Sequence, residues 1–257
     1  MIKFFRNLRQ HMIKENKVTK YLLYAIGEIV LVVIGILIAL QINNNNEEKQ
    51  RVKKEYEIMT NLAEDFKNNL VSLNRSLDTL YPGWSNRLAK NISYFGLKDE
   101  EFSPEMRNDI SWTGYYKTKI IEGSLNSILS SEKLELLRDT KLKNMLTAYP
   151  ANIAEFKNLE NNLEHYVLDV QRDVFRHYIS LADDLGGNYS VIKNAAKSNY
   201  EGLMGNLYYQ NTLMGQMHIV NFQLRSLAQN LKLATEDIYD LLLENINKNP
   251  NHITNDD

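Results

Sequence analysis

Residues 21–40 read YLLYAIGEIVLVVIGILIAL, and the rest of the chain takes its place from this run. As a helix its 20 residues rise roughly 30 Å, the thickness of a bilayer's hydrocarbon core. Thirteen of them are Leu, Ile or Val. At about −0.3 to −0.6 kcal/mol each, those side chains favour insertion by roughly 4–8 kcal/mol in all. Glu28 opposes this with about 2.5–3.5 kcal/mol if it enters ionised. Insertion wins, and the run is expected to cross a membrane once. A cleaved signal peptide is the competing reading, but its apolar core is about 7–15 residues followed by a small-x-small site. This run is longer and ends Ile38-Ala39-Leu40-Gln41.

Charge orients the span. Lys3, Arg6, Arg9, Lys14, Lys17 and Lys20 face only Glu15 among residues 1–20, whereas residues 41–257 sum to −6. The positive-inside rule puts the N-terminus in the cytoplasm and the body on the far side of the membrane. Ile2, Phe5, Leu8 and Met12 recur at helical spacing between those basic residues. Residues 1–20 therefore read either as a basic amphipathic helix lying on an anionic leaflet, or as a frayed basic tail that only sets orientation. A mildly acidic body argues against nucleic acid as a partner.

Within the span, Gly27, Leu31, Gly35 and Ala39 fall four apart and share a face. Gly35-x-x-x-Ala39 is a small-xxx-small pair, the kind that lets two helices approach and a homo-oligomer form. Glu28 is the intramembrane candidate site; its competing reading is a protonated or snorkelling side chain near Lys20 or Tyr24.

The runs IKFFRNLRQ (2–10) and ENKVTKYLLYAIGEIVLVVIGILIALQINNNNEE (15–48) together resemble the N-terminal module of an uncharacterised family of single-pass membrane proteins from Bacteroidota. The later run SLNSILSSEKLELLRDTKLKNMLTAY (124–149) is similar to a second stretch of that family. The resemblance implies an envelope protein with a helical body and a domain of unknown function, and supplies no catalytic residues. The chain departs from it at Asn43–Asn46, where an aromatic is expected among the asparagines.

With four Pro, eleven Gly and no Cys, the chain lacks the turn residues of a β-rich fold and any disulfide or thiolate chemistry. Val52, Tyr56, Met59, Ala63, Phe66, Leu70, Leu73, Leu77 and Leu80 alternate intervals of four and three, a heptad seam. The asparagines at 43–46 are weak helix formers and a candidate hinge, and Pro82-Gly83 is expected to end the helix. Residues 84–139 read as a layer of short helices, with Trp84, Leu88, Ile92 and Phe95 on one closed by Gly96. Ser103-Pro104 opens another, and Ser124–Leu129 and Glu132–Leu137 form two more. From Asp139 as N-cap, Leu142, Leu146, Tyr149, Ile153, Phe156, Leu163, Val167, Val170, Val174 and Leu181 carry a second seam, kinked at Pro150. Glu160 and His177 occupy seam positions, which makes His177 a candidate pH-sensitive core residue. Ser198-x-x-Glu201 reads as a capping box opening the last helix, whose seam runs from Leu213 to Leu241. Residues 248–257 read as a disordered tail.

The expected architecture is all-α: a cytoplasmic segment (1–20), a transmembrane helix (21–40) and an elongated antiparallel bundle (41–247). Whether each seam packs within one chain or between chains stays open, with the several seams favouring the former.

No catalytic, cofactor-binding or metal-ligating constellation emerges. The histidines His11, His165, His177, His218 and His252 lack a Glu three residues before them, and no phosphate-binding glycine loop or nucleophile elbow is present. Asp183, Asp184 and Asn188 miss the EF-hand spacing. Glu164-His165 and Asp173…His177 form acid–base pairs along one helix. Gly202, Gly205 and Gly215 stand among Met204, Tyr208, Tyr209, Met214 and Met217, either as a pliable groove or as close helix packing. The expectation is a non-enzymatic scaffold or interaction protein that contacts the lipid bilayer, an envelope protein or itself. A single-span subunit of an ion-coupled complex using Glu28, and a ligand-sensing bundle, are the alternatives.

Overall fold

A computed structural model describes residues 18–184 and 196–249, and these form seven helices and no strand. Three are long. Helix α1 comprises Val18–Arg75, a π turn at Ser76–Leu80, and Tyr81–Ser93. Helix α2 is Pro104–Ser111 and α3 is Gly123–Leu129. Helix α4 comprises Thr140–His165, a π turn at Tyr166–Gln171, and Arg172–Tyr178. The short α5 is Leu181–Asp184 and α6 is Tyr200–Met204. Helix α7 comprises Leu207–His218, a π turn at Ile219–Leu224, and Arg225–Lys248.

The seams close on one another within the chain. Helix α7 lies along α1 and against α4, burying Met59, Leu62, Phe66, Leu73 and Leu77 of α1 with Leu142, Leu146, Tyr149, Ile153 and Phe156 of α4. Val220, Leu224, Ala228, Leu231, Ile238 and Leu242 of α7 complete that core. Side chains spaced three and four apart fall on one face of each helix, so three faces bury one shared core.

Several boundaries differ from the sequence reading. Asn43–Asn46 do not hinge; the helix passes through them, and Asn43 Nδ2 donates to Glu47 Oε1 one turn on at 2.7 Å. Pro82-Gly83 does not end α1. Proline is tolerated there because it stands at the start of a new helical register, just after the π turn in which the Tyr81 N–H donates to the Ser76 carbonyl. The real stop is Gly96, which takes φ +84°, the left-handed conformation that glycine adopts without a Cβ penalty. Pro150, where a kink is expected, lies inside α4, as the seam running through it requires. The last long helix is capped by Asn206 rather than opened at Ser198: Asn199 caps the short α6, and Asn206 Oδ1 accepts from the Tyr209 N–H at 2.9 Å. Lys248 is helical and Asn249 is buried, so the ordered body runs two residues past the boundary read at 247. Ser103 and Asp139 do cap α2 and α4.

The π turn in α4 also moves the seam. An i→i+5 turn inserts one extra residue, so positions beyond it bury one place later than heptad counting gives. Gln171, Val174, Phe175 and Ile179 are buried, Val170 is half-buried, and His177 is exposed. His177 is therefore no core switch; its Nδ1 contacts the Asp173 carbonyl oxygen, not the carboxylate, at 2.8 Å.

Candidate functional site

Leu22–Leu40 stands free of the bundle. Its 18-residue apolar window has a mean hydropathy of 2.7 and no residue buried within the fold. Leu31 is 71 % and Leu23 66 % exposed. By length and composition this stretch is apolar enough to cross a membrane. Glu28 points outward in this stretch like its neighbours. At Gly27 and Gly35 an added Cβ would meet nothing within 4 Å, so that face remains open to a second helix; Leu31 and Ala39 are exposed on it. Of the basic segment, Lys3, Arg6, Arg9, Lys14 and Lys17 lie outside the described residues, and Lys20 sits in the first turn of α1.

The body grips α1 soon after the apolar stretch. Arg138 pairs with Glu48 and, through Nε at 3.3 Å, with the buried Glu55, whose Oε1 also accepts from the Arg138 N–H at 2.8 Å. Asn249 Nδ2 reaches the Val52 carbonyl at 3.3 Å. Glu48 lies eight positions beyond Leu40, so about 12 Å of bare helix joins the apolar stretch to the bundle.

Further up, residues 112–122 run extended between α2 and α3, and side chains of the long helices satisfy their backbone. Asn69, buried in α1, accepts from the Ile121 N–H at 2.7 Å and donates to its carbonyl at 2.9 Å. Glu160 Oε1 accepts from the Thr118 N–H at 2.7 Å and from the Tyr81 hydroxyl at 3.0 Å. Ser76 Oγ and Tyr81 Oη both contact Thr118 Oγ1, at 2.8 and 2.7 Å. Arg172 donates to the Thr113 carbonyl at 3.0 Å, and Asp65 accepts from the Ser124 N–H at 3.1 Å. Glu164 binds Lys117 and Tyr115 rather than His165, and His165 pairs with Asp169. Arg87 stacks over Trp112 at 4.8 Å, and Trp112 packs on Tyr116.

Burial holds the Glu160 carboxyl above its ordinary range, against the pull of Thr118 and Tyr81 hydrogen bonds. Desolvation and the Glu160 charge push the Tyr81 phenol up as well. Both groups are closed off from solvent and brace the extended segment. Tyr209, fully buried, is pushed up to about 12.

An added Cβ on Gly215 would meet the Tyr166 hydroxyl at 2.9 Å, so this glycine serves close packing of α7 on α4. Asp183 binds Lys197 and the Ser198 N–H, while Asn188 lies outside the described residues. Among the described residues, no three His, Asp or Glu side chains gather as a metal site would require. Sequence reasoning flagged Glu160 as out of place on its seam and missed Asn69, Thr118 and Tyr81. Asn69 and Tyr81 showed only as polar residues beside a seam position, and Thr118 lies where no seam was read.

No curated protein and no solved structure matches the chain significantly. Residues 28–154, from within the apolar run through the extended segment and into α4, match DUF6090, a family of unknown function.

Proposed function

We propose that the protein is a non-enzymatic scaffold: a helical bundle held upright on the periplasmic face of the inner membrane by one N-in span, presenting its sides to envelope partners. The carrying observation is the solvent-exposed apolar length of α1, continuous with a helix that the body grips about 12 Å later. A bilayer covers that length at low cost, and the six basic residues before it favour retention in the cytoplasm. Retention after alkaline extraction of membranes, together with capture of a specific partner by crosslinking, is the expected outcome. Release into the supernatant, or crosslinking that recovers no partner, this chain included, contradicts the reading.

A second reading rests on Glu28, the one charged residue between Tyr21 and Leu40. In it the carboxylate serves an ion-coupled membrane complex as its single-span subunit. Glu28→Gln then abolishes that coupling and leaves insertion unchanged; unaltered coupling discards it.

A further inference from the structure

Among the described residues, four buried side-chain atoms meet no hydrogen-bonding partner: Trp84 Nε1, Asn91 Oδ1, Tyr209 Oη and Gln216 Oε1. All four belong to two sections of helix that pack on each other, Tyr81–Ser93 of α1 and Leu207–His218 of α7. A polar atom shut away unpaired costs more than a hydrogen bond contributes, so such atoms are rare in folded proteins. Four in one joint, and none elsewhere among the described residues, mark a local requirement for a partner.

Two of the four are linked through Gln171. The π turn of α4 carries this residue into the core, and Leu207–His218 packs against that turn. Gln171 Oε1 accepts from Gln216 Nε2 at 2.8 Å. The same Gln171 side chain lies beside the Tyr209 hydroxyl and offsets part of the rise that burial imposes on it. Tyr209 and Gln216 stand two helical turns apart on the inward face of α7, both fully buried, with Leu213 between them. The Tyr209 O–H is thus left as a donor and Gln216 Oε1 as an acceptor, on either side of one amide.

We propose that an internal water molecule bridges Tyr209 and Gln216 here, accepting from the phenol and donating to the amide oxygen. The partner must donate and accept at once, which water does and a bare ion does not. It must also be uncharged. Residues 202–224 contain no Asp, Glu, Lys or Arg, and Asp169 and Asp173, which flank Gln171 in sequence, are exposed. With Gln171 alongside, the water has three polar side chains about it, within the two to four that hold buried waters. The ring of Tyr209, water, Gln216 and Gln171 then closes, and each bond polarises the next. It pins α7 to α4 at the place where the π turn has set an amide, and not an apolar side chain, in the core.

A crystal structure of the full chain at a resolution that shows waters, with that of Tyr209→Phe beside it, tests the assignment. The expected result is an oxygen within about 3.2 Å of both Tyr209 Oη and Gln216 Oε1. It is lost in Tyr209→Phe, whose Tm falls by about 2–4 °C. Removing a hydroxyl that has no partner would instead leave Tm unchanged or raise it. A Tm that holds or rises therefore overturns the proposal. So does a protein atom in the water's place, an adventitious additive only, or no density between the two side chains. Should Tyr209→Phe fail to fold, the density in the native crystal decides the matter by itself.

Discussion

At the scale of single residues, buried polar side chains in this bundle serve the backbone of a neighbouring segment. Asn69 satisfies both polar groups of Ile121. Asn69→Ala leaves a partly buried N–H and C=O unpaired and is expected to cost about 2–4 kcal/mol, read as a lower denaturation midpoint with faster proteolysis at residues 112–122. Glu160 is the more expensive brace. Its carboxyl is held above the unfolded value of about 4.3, so the folded chain takes up the proton more readily than the unfolded one. The stability this confers is complete below the unfolded value and is lost as pH rises through the folded one. Glu160→Gln keeps an acceptor for Thr118 and Tyr81 without the charge. Its Tm relative to the native chain should therefore improve from pH 4 to pH 7, and a difference that stays flat or shrinks contradicts the assignment. Glu160 was visible in the sequence as a charge on an apolar seam. Asn69 was hidden, since Leu70 beside it took the seam position, and no spacing rule reveals that an extended segment needs its partner.

At the scale of elements, three–four spacing located all three long helices and missed their interruptions. Each long helix contains one π turn, a one-residue insertion that heptad counting does not foresee. That explains why His177 falls outside the core and why α1 continues through Pro82. The chain's punctuation was legible where a backbone angle demands a residue type, as at Gly96 with φ +84°. Two glycines on α1 and its stop test this. Gly96→Ala is expected to lower stability by about 1–2 kcal/mol, because a Cβ opposes the left-handed conformation. Gly83→Ala, in a regular helix with open space about its Cβ position, is expected to gain up to about 1 kcal/mol. Thermal unfolding of the two variants checks the opposite signs.

At the scale of the whole molecule, one uninterrupted helix joins an apolar stem to a bundle whose seams bury one another. Whether the seams pack within one chain was left open by hydropathy and period; the apolar stem and the all-helical class followed from them. The attachment of the body to the stem did not, because it is made by Arg138, Glu48 and Glu55, residues far apart in sequence. The central claim is that residues 21–40 cross the inner membrane once and hold the bundle outside the cytoplasm. Labelling of single-cysteine variants in spheroplasts with a membrane-impermeant maleimide tests it most directly. Glu155→Cys should label in intact spheroplasts, and Gln10→Cys only after the membrane is permeabilised. Protection at 155 until permeabilisation, or labelling at 10 without it, would contradict the account.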